Sequence, residues 1–104
     1  MKVFLIDPIE QRVSAIEIDD PMPGLRRLIG FDSLDSDEID DSGDRLFFDE
    51  ACFIRQQPAA GRFKLDNLAP VAGRGVVIGS QASGTVFGDP AVAIDALSQR
   101  ITFL

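Results

Sequence analysis

The chain contains no histidine, no tryptophan and no tyrosine, and its one cysteine is Cys52. Without histidine, the commonest general base and commonest metal ligand at neutral pH are missing, together with the Ser-His and Cys-His nucleophile pairs. Zinc would have only one thiol and carboxylates to bind, a poor match to its usual ligand sets. One cysteine also excludes an internal disulfide. Within the apolar run "ACFI" it reads as a small buried hydrophobe, because a reactive thiolate needs cationic, accessible surroundings. The sequence therefore assigns no catalytic residues, no metal and no cofactor.

Positive charge is scarce as well. Ten Lys and Arg face seventeen Asp and Glu, a formal net charge of −7. That balance opposes sequence-independent binding to phosphate backbones, which relies on cations displacing counterions, so bulk nucleic acid is not an expected partner. Long apolar runs are lacking too. "MKVFLID" has one cation and an apolar run of only four before Asp7, too short for a signal sequence, and no run approaches the roughly 20 residues that span a bilayer. The expectation is a soluble, cytoplasmic protein with no membrane partner.

What is present suffices for a core. At 104 residues and 45% hydrophobic, with eight Phe supplying all the aromatic volume, residues 1–104 read as one α+β domain. Folding at this size buries roughly 65% of the open chain's surface, so no staple is needed. The expected architecture is mainly an antiparallel sheet of hairpins with two short helices.

Residues 2 to 7 and 12 to 18 read as a hairpin around "PIEQ"; continuous apolarity in "VFLI" makes the first strand central and covered on both faces. A helix follows, with Asp20 as cap, Pro21 at its first position, Met22, Leu25, Leu28 and Ile29 on one face, and Gly30 closing it. "FDSLDSDEID" and "RLFFDEACFI" form a second hairpin around Gly43, its first strand a charged edge and its second, through Phe53 and Ile54, part of the core. "QQPAAG" is a loop, "RFKL" a short strand and "DNLAPVAGRG" an irregular connection; "VVI" is a buried strand with Gly75 and Gly79 as flanking turns. "SQASG" turns into "TVF". A second helix is expected with Asp89 as cap, Pro90 first, and Val92, Ala93, Ala96 and Leu97 on one face, before a last strand "ITFL".

Binding candidates come from the charges. "DSDEIDDSGDR" holds six carboxylates in eleven residues, among them Asp37, Glu38, Asp40 and Asp41. Calcium-loop spacing fails in both registers: from Asp35 the fifth and sixth places are Ile39 and Asp40, and from Asp40 the sixth and twelfth are Arg45 and Ala51. A solvated edge hairpin is the plain reading. Asp49 and Glu50 differ, because they interrupt an apolar strand, so one points inward or sits at a bulge. "GRGVVIGS" has three residues between Gly75 and Gly79, which fails the dinucleotide-binding spacing, and lacks the Lys-Ser/Thr of a phosphate loop. Residues 32 to 50 carry nine acids against Arg45, whereas residues 54 to 88 carry Arg55, Arg62, Lys64 and Arg74 against Asp66. An acidic edge and a basic face are expected, with Arg62, Lys64 and Arg74 as a local anion site.

The order of "LIDP", "V..IEID", a helix ending in "LIG", a strand running into "DEA" and a late "GRGVVIG" resembles a family of small uncharacterised α+β proteins found mainly in phage, plasmid and bacterial genomes. In that family a pair of acids is followed by Gly where Ala51 stands here. The resemblance implies no activity and no catalytic residue; it implies an accessory protein of a mobile element that binds host proteins. The expected function is thus a non-enzymatic protein-binding or regulatory module, with a protein partner or self-association. The alternatives are a small-molecule or anion-binding protein or enzyme using Asp49 or Glu50 with Arg55 or Arg74, and a nucleic-acid mimic built on the acidic hairpin.

Overall fold

Opposite faces of one strand organise the molecule. In β1 (Lys2–Asp7), successive side chains alternate across the sheet. Val3 therefore enters one buried cluster, while Phe4 and Ile6 enter another. The computed structural model describes residues 1–54, 61–81 and 86–104.

β1 pairs antiparallel with β2 (Arg12–Glu17) on one side and with β7 (Gly75–Gln81) on the other. β7 then pairs with β4 (Arg45–Asp49), and β4 with β3 (Leu34–Glu38), so the order is β2-β1-β7-β4-β3. β8 (Val86–Gly88) joins the far end of β7, at Gly79–Gln81. A second sheet has the order β6-β5-β9, from Val71–Ala72, Arg62–Leu65 and Ile101–Phe103. Every pairing is antiparallel, and with two helices the fold is α+β.

On one face of the larger sheet, α1 (Pro21–Ile29) lays Leu25 and Ile29 over Val3, Phe47, Val76 and Ile78. On the other, Phe63, Leu65 and Val71 of the second sheet and Leu97 of α2 (Ile94–Arg100) cover Phe4, Ile6, Leu46 and Val77. Full burial of one such side chain contributes about 1.5–3 kcal/mol. Both helices depend on that packing, since nine residues in α1 and seven in α2 are too few to hold a helix alone. Asp20 stands at its N-cap, but its side chain makes no capping bond; Gly30 closes the helix with φ 92°.

Four expectations need correction. First, α2 begins at Ile94 with Ala93 as N-cap, not at Pro90, and Asp89 does not cap it; the Asp89 carboxylate instead accepts the N–H of Lys2 at 2.8 Å. Second, Gly75 and Gly79 lie inside β7, not in turns. They share the face of Val77, where a Cβ on Gly75 would come within 2.6 Å of the Phe63 ring and one on Gly79 would collide with the carbonyl oxygen of Asp89. The glycines make room for the covering layer. Third, β4 stops at Asp49, and Phe53 and Ile54 lie in the following turn, 57% and 81% exposed. Fourth, the irregular connection contains β6. Cys52 is half-buried. "QQPAAG", apart from Gly61, and the tip of "SQASG" lie outside the described residues.

Candidate functional site

The acidic hairpin is an edge, as its composition requires, but much of its charge is engaged within the protein. Glu50 N donates to Ser33 O and Ile39 N to Asp44 O, so the odd-numbered residues of β3 bond to β4 and Ser36 turns its N–H outward. That outward N–H is taken by the Asp35 carboxylate at 2.8 Å. Glu38 meets Arg45 at 3.3 Å, and the Arg45 Nε also donates to Ser36 Oγ. Asp40 accepts the Ser42 N–H at 2.8 Å and pairs with Arg100 at 3.2 Å. Hydrogen bonds from the Ser42 side chain and backbone, and the Arg100 guanidinium, hold the Asp40 carboxyl below its ordinary range. Arg100 also grips Asp66 at 2.6 Å and thereby ties α2, the turn after β5 and the hairpin together. Asp37 and Asp41 have no hydrogen bond or ion pair among the described side chains.

The acid that matters most to the fold is Asp44, at the end of the same segment. It is 1% exposed, and its two carboxylate oxygens accept the N–H groups of Ala91 and Val92 at 2.8 and 3.0 Å. The chain leaving β8 passes over the sheet where Gly79 has no side chain and is caught on that same face by Asp44. Its position could have been read from parity: Asp44 shares the inward face of Leu46. Beside it, Ser42, Ser80, Phe87 and Asp89 help line a cleft of about 240 Å³, smaller than the usual ligand pocket. Among the described residues, no group of three or more Cys, Asp or Glu is placed to hold a metal ion.

Asp49 and Glu50 divide as expected of a strand end. Asp49 is 3% exposed and accepts the Ala51 N–H at 3.1 Å, whereas Glu50 faces water. Asp49 and Arg74 each stand one residue beyond Phe48–Gly75, the last pair of the β4–β7 ladder, and so lie at the same end of the sheet. Asp7 occupies the matching place beyond Ile6–Gly75 on β1 and pairs with Arg74 at 3.6 Å. Arg55, the other cation named with Asp49, lies outside the described residues.

Arg74 stands just before β7, while Arg62 and Lys64 project from β5, the central strand of the second sheet, on the side opposite buried Phe63 and Leu65. Lys64 pairs with Thr102 and Arg62 with Ala72, which places those residues on the same outer face. Leu104, 62% exposed, donates its N–H to Arg62 O, and the Arg62 guanidinium lies 6.0 Å from the centre of the exposed Phe53 ring. Neither Arg62 nor Lys64 has an ion pair among the described residues. The cations are visible in the sequence but the apolar rim is not, because the apolar run around Phe53 reads as a core strand.

Comparison with protein-family models, with curated proteins and with solved structures finds no match. Among the described residues no helix is long and apolar enough to cross a membrane.

Proposed function

We propose that the chain is a non-enzymatic protein-binding or regulatory module, and that its docking surface is the outer face of the second sheet. One observation carries the reading. In a chain of net charge −7, Arg62 and Lys64 stand without a carboxylate partner among the described residues, on an outer sheet face rimmed by exposed Phe53 and Leu104. Cations flanked by large exposed apolar side chains suit a protein surface that presents carboxylates beside apolar groups. A cytoplasmic setting and a role as accessory protein of a mobile element belong to the same proposal, the latter resting on the family resemblance.

The acidic hairpin is the weaker docking surface, since Asp35, Glu38, Asp40 and Asp44 are engaged within the protein. Nucleic-acid mimicry, which needs free carboxylates at regular spacing, has the same difficulty. The enzyme alternative draws on buried Asp49 near Arg74, but Arg74 is already held by Asp7.

Photo-crosslinkers placed at Lys64 and Thr102 should capture a host protein that a crosslinker at exposed Arg27 of α1 does not, and Arg62→Glu with Lys64→Glu should abolish capture. Equal capture by that double variant would end the reading, as would turnover of a small substrate by purified protein without any partner.

A further inference from the structure

The larger sheet has two long edges, and only one is protected. At β3 the central outward N–H is occupied by Asp35, and carboxylates crowd the strand. At β2, the opposite edge, the bonds of Ile18 N to Met1 O and of Met1 N to Ile18 O fix the pattern. The even-numbered residues of β2 bond to β1, while Val13, Ala15 and Glu17 turn N–H and C=O outward. No described residue takes those three N–H groups. β2 runs for six residues, "RVSAIE", without proline and with its charges, Arg12 and Glu17, confined to its two ends, so little in the strand's middle discourages strand addition. The other strands at sheet margins, β6, β8 and β9, have two or three residues.

We infer that the β2 edge is a dimerisation site, filled by β2 of a second copy running antiparallel about a two-fold axis at Ala15. This register is the one that pairs all three outward residues: Val13 with Glu17 of the second copy, Ala15 with Ala15 of the second copy, and Glu17 with Val13 of the second copy. No like charges stand opposite each other. Arg12, whose own contact with Glu10 is a loose 3.8 Å, comes to the end of the other strand where Glu17, Asp19 and Asp20 of the second copy lie. The acidic β3 edges fall at the two extremes of the joined sheet, each four strand spacings, about 19 Å, from its own β2. For two molecules of charge −7 this is the edge pairing that keeps their densest acids furthest apart. An isologous strand pair closes on itself and does not propagate. The surface involved is distinct from the outer face of the second sheet.

Sedimentation velocity on the full chain, from about 10 μM to about 1 mM, reads the association directly. The wild type should dimerise. Ala15→Lys and Ala15→Glu, which put like charges opposite each other at the axis, should each weaken association at least about tenfold, with unchanged circular dichroism melts. An equimolar mixture of the two should dimerise again. Hydrogen exchange gives a second measurement: the amides of Val13, Ala15 and Glu17 should be protected in concentrated wild type and exchange fast in Ala15→Lys. A wild type monomeric throughout overturns the inference. So does a dimer indifferent to both substitutions, a mixture no better than either variant, or a dimer in which those three amides exchange freely.

Discussion

Asp44 shows how one buried side chain can hold together segments far apart in the chain. Its carboxylate takes the N–H groups of Ala91 and Val92, tying the segment that precedes α2 to the hairpin. Asp44→Ala leaves two amides without their acceptor, so urea unfolding should show a loss of about 3 kcal/mol, and Asp44→Asn about half of that. A change below about 0.5 kcal/mol for the alanine variant, the range of ordinary surface substitutions, would mean that the contacts contribute nothing. Asp40 offers a test by pH. Its folded pKa is lowered, so the stability it contributes is present above the unfolded value, near about 4, and is lost as pH falls through the folded value. The stability difference between wild type and Asp40→Asn should therefore hold steady above about pH 5 and shrink below about pH 4. Because the side chain is 39% exposed, solvent screening keeps the difference small.

At the scale of elements, β7 carries the most constraint. It pairs on both sides and is covered on both faces, and its two glycines are approached by different kinds of atom. Gly79→Ala meets the backbone at Asp89, which is also anchored through Lys2, whereas Gly75→Ala meets the tip of the Phe63 ring, which can turn. Thermal unfolding should show the former costing about 3 kcal/mol and the latter about 1 kcal/mol. Equal costs would place both glycines in the same kind of contact. Much at this scale was legible in the residues. "VFLI" announced a doubly covered strand, the Pro21 and Gly30 pair bounded α1, and carboxylates marked β3 as an edge. The start of α2 was not legible, since the Asp89 carboxylate is engaged by the N–H of Lys2, a contact across the length of the chain, and does not cap the residues that follow it. Nor was the exposure of Phe53 and Ile54, because an apolar run does not reveal where its strand stops pairing.

For the whole molecule, the two buried clusters share β1, β4 and β7 as their common wall. Far-UV circular dichroism and calorimetry should therefore report one coincident transition. Leu25→Ala beneath α1 and Leu97→Ala beneath the second sheet should each cost about 2–5 kcal/mol, and nearly additively, since the sheet separates them. Two resolved transitions would show that the layers melt apart.

From residue types alone come the absence of histidine chemistry, the net acidity, the failure of the calcium and nucleotide spacings, and the hairpins, because composition and local periodicity are properties of the chain itself. The tertiary structure decided which charges remain available. Asp44 is buried and hydrogen-bonded, Arg74 is paired with Asp7, and β2 is left as the open edge while the central outward N–H of β3 is taken by Asp35. Those outcomes depend on register and on contacts between residues far apart in sequence, such as Asp44 with Val92. A carboxylate's neighbours in space, rather than its neighbours in the chain, determine whether it is spent on the fold or left for a partner.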